Sequence, residues 1–358
     1  MSDPIETTTA ERQFPCHQCG ANLLFAPGTA SLQCKYCGAK NEIPVEQVEI
    51  EELDFRAHVD QYTATQPTRE TNVVKCQACA AESDFPEGRV SDRCPFCGSP
   101  MVTQSQSRRV IKPDWVLPFQ IPHADAQRRF NGWISGLWFA PSKLKQESER
   151  SKLTGIYEPA WTYDSQTTTQ YTGQRGDAYT VTVGTGKNRR TQRRIRWSYR
   201  SGVVSDTFDD VLVLASASIP NQLGDKLDPW DLKSLVKYDD AFLAGFVTES
   251  YQIDLEQGFG VAKQRMEEII RATVRRDIGG DEQRIDRMGV NYQSITFKHL
   301  LLPVWLSAYR FRGKTYRFLV NARTGEIVGQ RPYSAWKIAS LVVAIIVVLA
   351  GLWMLFRQ

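Results

Sequence analysis

The stretches CHQCGANLLFAPGTASLQCKYCG (residues 16–38) and CQACAAESDFPEGRVSDRCPFCG (residues 76–98) contain all eight cysteines of this 358-residue chain. Each stretch holds two C-x-x-C pairs separated by 14 residues, and the second stretch follows the first by 60 residues. Residues between the cysteines also recur, because Ala21, Phe25 and Gly28 are matched by Ala81, Phe85 and Gly88. The pattern predicts an internal duplication of one small fold.

Four thiolates on two facing turns form the tetrahedral sulfur cage that Zn²⁺ prefers. Disulfides are the alternative, but no apolar leader with a cleavage site precedes the cysteines, so we expect a reducing cytoplasm and favour zinc. Four cysteines close the coordination shell, so we expect two structural zinc ions. The predicted ligands are Cys16, Cys19, Cys34 and Cys37 in ribbon 1 (residues 11–45), and Cys76, Cys79, Cys94 and Cys97 in ribbon 2 (residues 71–104). His17 is a less favoured alternative ligand.

The overall charge is nearly balanced, with 44 Lys+Arg against 40 Asp+Glu and a net charge of +4. The charges of residues 11–45 sum to +1 and those of residues 75–98 to −1. Phosphate contacts by Lys and Arg supply most non-specific nucleic-acid affinity, so the ribbons are poor candidates for this role. Residues 46–70 are predicted to be an acidic linker that holds the ribbons out toward a protein partner.

The C-terminal stretch IASLVVAIIVVLAGLWMLF (residues 338–356) has 19 residues without a charge. As a helix it is about 28 Å long, which matches a bilayer core. A buried core helix would instead need protein on every side. Trp336 precedes the stretch and Trp353 lies near its end, both as interface residues, and Arg331 and Lys337 lie on its N-terminal side. We therefore predict a transmembrane helix over 336–356 that anchors the chain by its tail, with the N-terminus in the cytoplasm.

Residues 110–332 show an α+β pattern. The strand-like runs Leu117–Ile121 and Gly245–Ile253 each precede a helical pattern, over 123–139 and from Asp254 to Gly279. A P-x-W sequence follows each helix, at 159–161 and at 303–305. The predicted core stripes are Ala126, Phe130, Trp133, Ile134, Leu137 and Trp138 in the first helix, and Leu255, Phe259, Ala262, Met266, Ile269 and Thr273 in the second. The expected fold class is α+β: two zinc ribbons, a duplicated domain with an antiparallel sheet, and one transmembrane helix.

The stretch KNRRTQRRIRWSYR (residues 187–200) has seven basic residues and no acid. After Arg193 the pattern alternates, which predicts a strand with Arg194, Arg196 and Arg200 on one face and aromatic residues on the other. Three interpretations remain open: a solvated hairpin, a contact with anionic lipid headgroups, or a nucleic-acid contact. The candidate residues for binding an anionic surface are Lys187, Arg189, Arg190, Arg193, Arg194, Arg196 and Arg200.

Several longer strings carry a family resemblance. They are LLPVWLSAYRFRGKTYRFLVNARTGEIVGQRP at 301–332, FDDVLVLAS at 208–216, PWDL at 229–232, AFLAGF at 241–246 and DIGGDEQRI at 277–285. With the ribbons and the C-terminal apolar stretch, they resemble a bacterial family of membrane-anchored TFIIB-type zinc-ribbon proteins, often called primosomal protein N′ (replication factor Y), a superfamily II helicase. The resemblance implies a single-pass protein of the bacterial inner membrane, associated with SPFH/flotillin-like partners and membrane stress, and assigns no catalytic residues.

Helicase chemistry needs a phosphate-binding loop with the pattern G-x-x-x-x-G-K-[ST]. The nearest match, at 186–188, has Asn188 in place of the hydroxyl residue and Val181 in place of the first glycine. Asp209 and Asp210 are therefore interpreted as a strand edge or turn and not as an ATPase acid pair. We expect no enzyme and no small-molecule substrate. The predicted function is a tail-anchored adaptor or scaffold that recruits a protein partner, and the alternative is a membrane-tethered nucleic-acid-binding factor.

Overall fold

The computed structural model describes residues 14–45, 48–59, 68–84, 93–99, 105–141, 153–184, 186, 189–311 and 314–356. Ribbon 1 forms a three-stranded antiparallel sheet of β1 (Leu24–Phe25), β2 (Ser31–Gln33) and β3 (Lys40–Glu42). The other described strands join a second, mixed sheet. They are β4 (Leu53–Asp54), β5 (Thr68–Lys75), β6 (Glu82–Asp84), β7 (Ser105–Ile111), β8 (Trp115–Val116), β9 (Thr154–Val183), β10 (Arg190–Leu214), β11 (Val236–Lys237), β12 (Val247–Glu249), β13 (Glu282–Phe311), β14 (Lys314–Asn321) and β15 (Ile327–Gly329).

The described helices are α1 (Phe55–Val59), α2 (His123–Ser135), α3 (Asn221–Gly224), α4 (Leu255–Ile278) and α5 (Ala335–Leu355), with 3₁₀ turns at Asp225–Leu227, Leu232–Ser234 and Asp240–Leu243. Helix α4 begins where the Asp254 carboxylate accepts a hydrogen bond from the Gln257 N–H, and it ends at Gly279 with φ 68°. Both ends follow the expected capping chemistry. The α+β fold class, with an N-terminal pair of four-cysteine clusters and one C-terminal apolar helix, is confirmed.

The duplication of the α+β domain is visible in the strand pairing. Strand β8 precedes α2 and pairs in parallel with β13 through Trp115 and Leu300, and β12 precedes α4 and pairs in parallel with β9 through Val247 and Ile156. Strands β9 and β13 pair with each other in antiparallel fashion at the centre. The two halves therefore have the same strand–helix–strand connectivity, and each pairs its first strand with the long strand of the other half. The tryptophans of both P-x-W sequences, Trp161 and Trp305, are buried.

Three strands are far longer than a typical strand of five or six residues. Strands β9 and β13 have 30 residues each and β10 has 25, so at roughly 3.3 Å per residue β9 is on the order of 90–100 Å long. We call residues 164–183, 190–209 and 282–296, together with α4, the arm, and the remaining described part of residues 105–334 the base. Helix α4 packs on one face of the three strands of the arm, which we call the α4 side. No other described element packs on the opposite face, which we call the open side.

Among the described residues, two strands reach the far end of the arm. Strand β13 pairs with β9 as far as Glu282, opposite Gly176, whereas the β9–β10 hairpin continues to Val183 and Arg190. We call residues 177–183 and 190–196 the tip. The C-terminal helix α5 lies at the other end. Its Lys337 Nζ donates to Ala140 O, after α2, at 2.8 Å, and α2 packs on Phe318 of β14, which pairs with Ser307 near the end of β13.

The ribbons pack on the base, so the expectation that a linker holds them away from it is wrong. The Phe25 N–H donates to Ala244 O at 3.0 Å, and the Phe25 ring contacts that of Phe242 at 5.4 Å. In ribbon 2, β6 pairs with β12, and Arg317 Nε donates to Phe96 O at 2.6 Å. A ribbon is too small to bury its own apolar side chains, so it buries them against the larger domain.

The predicted acidic linker, residues 46–70, is also partly docked. Strand β4 pairs with β13, and the buried Phe55 ring lies 4.6 Å from that of Phe259. Lys298 binds Glu52 at 2.9 Å, which attaches this acidic segment by charge as well as by packing. Residues 46–47 and 60–67 lie outside the described part of the chain, and residues 68–70 begin β5.

The helical predictions are right in position and wrong in detail. Helix α2 ends at Ser135 and not at residue 139, and Trp138, assigned to the core stripe, is 78% exposed. In α4 the core stripe runs through Ile270, whereas Ile269 is 55% exposed. Ile269 and Ile270 both fit a 3.6-residue repeat. The packing of α4 against the twisted strands of the arm decides which of the two is buried. The predicted strand at 117–121 is also displaced, because the strand there is β8, at Trp115–Val116.

Candidate metal centres and the basic arm

The four thiols of ribbon 1 converge on one point. The Sγ atoms of Cys16 and Cys37 lie 3.5 Å apart, as do those of Cys19 and Cys34. A tetrahedral zinc site with Zn–S bonds of about 2.3 Å has S···S edges of about 3.8 Å, so the cluster needs only a small expansion to hold the ion. His17 is exposed and outside the cluster, as expected for a turn residue.

The thiols of ribbon 2 form a second cluster of the same kind. The Sγ atoms of Cys76 and Cys97 lie 3.7 Å apart, and those of Cys79 and Cys94 lie 3.8 Å apart. All eight cysteines are free thiols, and these separations far exceed a disulfide bond of about 2.05 Å. In each cluster the four ligand atoms lie within 4.8 Å of one another. Both clusters therefore fit a four-coordinate metal ion.

Backbone N–H groups make the knuckles suited to thiolates. The N–H groups of Cys37 and Tyr36 point at the sulfur of Cys34 and lower the pKa of this thiol to about 6. Negative charge on the sulfur is thus stabilised by the turn itself, before any ion binds. The two clusters differ in access to solvent, since Cys19 and Cys37 are exposed whereas Cys76, Cys94 and Cys97 are buried.

Each knuckle closes through a residue in the left-handed region. Gly20, Gly38 and Gly98 have φ values of 72°, 76° and 67°, and their N–H groups donate to the first cysteine of each pair. The fourth knuckle has Ala80 at this position, with φ 60°. An alanine in this conformation is strained because its Cβ crowds the following carbonyl oxygen.

Replacing Ala80 with Gly should therefore stabilise ribbon 2. We expect a gain of about 0.5–1 kcal/mol in the free energy of unfolding, because the relief of strain exceeds the added entropy of the unfolded chain. Denaturant unfolding of the metal-loaded protein measures it. The matched control is Gly98→Ala, which should lower stability, and a loss of stability in Ala80→Gly would contradict the knuckle geometry.

The basic stretch lies in β10 as predicted, at the far end of the arm. Lys187 lies outside the described residues, and the six arginines that follow are exposed. Val204 and Phe208 are buried with α4, so residues of the same parity face the α4 side of the sheet. Arg190, Arg194, Arg196 and Arg200 lie on that side, whereas Trp197 and Tyr199 lie on the open side. The predicted alternation is confirmed.

Strand pairing adds arginines that sequence reasoning missed. Arg175 lies opposite Ser198 on the α4 side, and the exposed Arg275 and Arg276 end α4 on the same side. On the open side, the guanidinium of Arg284 stacks 3.9 Å from the centre of the Trp197 ring. These residues are distant in sequence from 187–200, and only the register of β9, β10 and β13 brings them together.

Two buried carboxyl groups meet in the base. Glu158 and Glu249 are 0% and 2% exposed, and the hydroxyls of Ser216 and Ser218 donate to them. Burial raises the pKa of Glu158 to about 6 and raises that of Glu249 well above its usual range, where the neighbouring Glu158 charge adds to the effect. The pair therefore shares a proton at neutral pH. The pair is buried, so its protonation affects the stability of the base.

Asp209 and Asp210 form a β-bulge in β10, in agreement with their interpretation as a strand edge or turn. Asp210 has φ 54°, and the pairing with β9 shifts register between Phe208 and Val211. The ammonium group of Lys298 lies 2.7 Å from Asp210 and 3.7 Å from Asp164. These contacts hold the sheet together at the point where the arm leaves the base.

Comparison with known proteins supplies a relative of similar length. The chain is 24% identical over 328 residues to the uncharacterized protein YdjG of Bacillus subtilis (strain 168). The alignment covers 91% of this chain and 92% of YdjG. The likeness therefore extends well beyond the cysteine motifs. No family model matches the chain, and no solved structure matches it.

Proposed function

We propose that this protein is a tail-anchored adaptor of the bacterial cytoplasmic membrane, with two structural zinc ions in its ribbons and an acidic protein partner at the basic end of its arm. The observation that carries this proposal is the arm itself. It extends from the base that bears α5 and ends in an arginine-rich surface at the opposite end of β13. This arrangement separates the attachment point from the proposed recruiting surface, which suits an adaptor.

The length and exposure of α5 support its proposed role as the membrane anchor. It has 21 residues, about 32 Å at 1.5 Å per residue, and none of its side chains is buried. A helix of this composition in a soluble protein would be covered by other elements, whereas Val347, Leu349 and Leu355 are 64%, 60% and 72% exposed. With the cysteines reduced, we place the base and the arm in the cytoplasm.

Zinc is the proposed metal because both clusters offer four sulfur ligands in tetrahedral arrangement. The ions would hold the ribbons in the shape that docks on the base. Cys16 and Cys34 belong to the same apolar cluster as Phe119 and Leu301, and Cys94 belongs to that of Leu300. Metal binding is therefore linked to the folding of the duplicated domain and not only to that of each ribbon.

The position of the tip disfavours lipid as its ligand. The first turn of α5 is joined to the base beside α2, and the tip lies at the far end of strands on the order of 90–100 Å long. Anionic headgroups attract basic residues only within about a Debye length of the membrane surface. The anchor thus gives the tip no preferred access to the leaflet.

The distribution of side chains favours protein over nucleic acid. Proteins that bind single strands combine basic and aromatic residues on one surface. Here Arg194, Arg196 and Arg200 lie on the α4 side, away from the rings of Trp197 and Tyr199. On the open side the guanidinium of Arg284 already covers one face of Trp197, so that face is not free to stack on a base. Acidic residues are also interspersed, since Asp177 binds Arg175 at 2.9 Å. An SPFH/flotillin-like membrane protein, the partner class that the resemblance implies, is the first candidate to test.

Nucleic acid is the second candidate, because the number of exposed arginines on the arm favours a polyanion of any kind. Catalysis is not part of the proposal. The buried carboxyl pair is closed to solvent, and the metal clusters have a full set of four protein ligands.

The test uses the full chain in nanodiscs of neutral phosphatidylcholine, with a polyglutamate peptide and single-stranded DNA as probes. Changing Arg194, Arg196 and Arg200 to Gln should weaken peptide binding about ten-fold, given about 0.5 kcal/mol for each exposed ion pair. The matched control changes three exposed basic residues of the base, Arg128, Lys226 and Lys233, and should leave the affinity unchanged. Tighter binding of DNA than of the peptide, with a steep salt dependence, would favour the second candidate.

A further inference from the structure

We propose that Trp138, Tyr333 and Trp336 form an aromatic platform that lies in the phospholipid headgroup region, so that the base itself contacts the bilayer beside the anchor. The inference rests on the proposed membrane span of α5. Through Trp138 it adds a second point of contact that lies outside the anchor helix, and its ligand is the headgroup and ester layer of a phospholipid membrane.

The platform is unusual in its exposure. Trp138 is 78% exposed, Tyr333 60% and Trp336 84%. Trp138 is not part of a loose segment, because its neighbours Leu137 and Ala140 are 5% and 1% exposed. A tryptophan held open to water by a fixed backbone loses the burial energy that its large apolar surface offers. Such a residue marks a contact surface rather than a packing position.

Hydrogen bonds join the Trp138 loop to the start of α5. The Ser334 N–H donates to Phe139 O at 2.8 Å, and Lys337 Nζ donates to Ala140 O at 2.8 Å. Trp336 lies in the first turn of α5, directly before the uncharged residues 338–356. The loop and the first turn are thus fixed at the same level, where the helix would enter the bilayer.

The chemistry of these residues suits the membrane interface. Tryptophan and tyrosine are enriched where a protein crosses from water to hydrocarbon, because each has an apolar ring and a polar group. The guanidinium of Arg331 lies 5.3 Å from the centre of the Tyr333 ring, where its charge can meet a lipid phosphate. With two attachment points, the base is held in one orientation on the membrane and cannot swing freely on α5.

The experiment is site-specific photo-crosslinking of the full, metal-loaded chain in vesicles of phosphatidylcholine and phosphatidylglycerol. p-Benzoylphenylalanine replaces Trp138, Trp336 or, as the control, Tyr199, which is 68% exposed on the arm. After irradiation, mass spectrometry measures lipid adducts at each position. We expect several-fold more lipid adduct at positions 138 and 336 than at 199.

The outcomes separate this inference from the proposed anchor. Adducts at 336 without adducts at 138 would overturn the platform and leave the anchor in place. Absence of lipid adducts at both positions would overturn the anchor and the platform together. Crosslinks from 138 to a second copy of the chain, in place of lipid, would assign the surface to self-association and also overturn the inference.

Discussion

Replacing Cys94 with Ser is expected to remove one metal ion per chain and to lower the free energy of unfolding by at least about 3 kcal/mol. Cys94 is 2% exposed, and the neighbouring Phe96 is fully buried. Both belong to the apolar cluster that contains Leu300 and Val304 of β13. Loss of the ion would therefore disturb the centre of the base, because the ribbon and the sheet share one core.

Two measurements check this effect, namely metal content by elemental mass spectrometry and thermal unfolding at matched protein concentration. The control is His17→Ala, which should retain two ions and wild-type stability because His17 lies outside the cluster. A Cys94→Ser protein that retains two ions, or that unfolds at the wild-type temperature, would contradict the docked arrangement of ribbon 2.

Replacing Glu249 with Gln is expected to stabilise the protein at alkaline pH. In the folded state the pKa of Glu158 is raised to about 6 and that of Glu249 is raised well above its usual range. The folded protein therefore binds more protons than the unfolded chain, so stability falls as pH rises from about 4.5 through the folded pKa values. Gln keeps the shape of the side chain and has no charge to bury. We expect a gain of about 2 kcal/mol at pH 8 and a flatter pH profile.

Unfolding by denaturant between pH 5 and pH 9 measures this profile. The matched control is Glu268→Gln, an exposed position on α4, which should leave the pH dependence unchanged. The proposed sharing of a proton between Glu158 and Glu249 would be wrong if the Glu249→Gln protein had the wild-type dependence of unfolding free energy on pH, or if it were less stable than wild type at pH 8.

Features set by short-range chemistry could be predicted from the sequence. The C-x-x-C spacing defines both four-cysteine clusters, because each pair lies within one turn. Gly279 ends α4 as expected, since a residue with φ 68° there favours glycine. The apolar length of 338–356 predicts α5 to within a few residues.

Features set by distant pairing could not be predicted. Strands β9 and β13 continue through Pro159 and Pro303, which in sequence suggest strand ends. Each strand supplies the partner for the other, with Pro159 opposite Leu301 and Pro303 opposite Tyr157. The length of the arm depends on this pairing and not on a local pattern.

The docking of the ribbons was missed for a related reason. The acidic composition of 46–70 favours a solvated linker, but Glu52 is neutralised by Lys298, which is 246 residues further along the chain. In the same way, Arg175 and Arg275 join the basic surface only through the sheet register and the end of α4. A single sequence carries no signal that connects these positions.

The most direct test of the central claim is photo-crosslinking in intact bacterial cells, with p-benzoylphenylalanine in place of Thr182 at the tip or Tyr36 on ribbon 1. Both positions are exposed, Tyr36 by 85%. The proposed adaptor should give a discrete protein adduct from position 182 that disappears when Arg194, Arg196 and Arg200 are changed to Gln, and no such adduct from position 36. A protein adduct from position 36 alone, or crosslinks from 182 only to lipid or nucleic acid, would contradict recruitment by the arm.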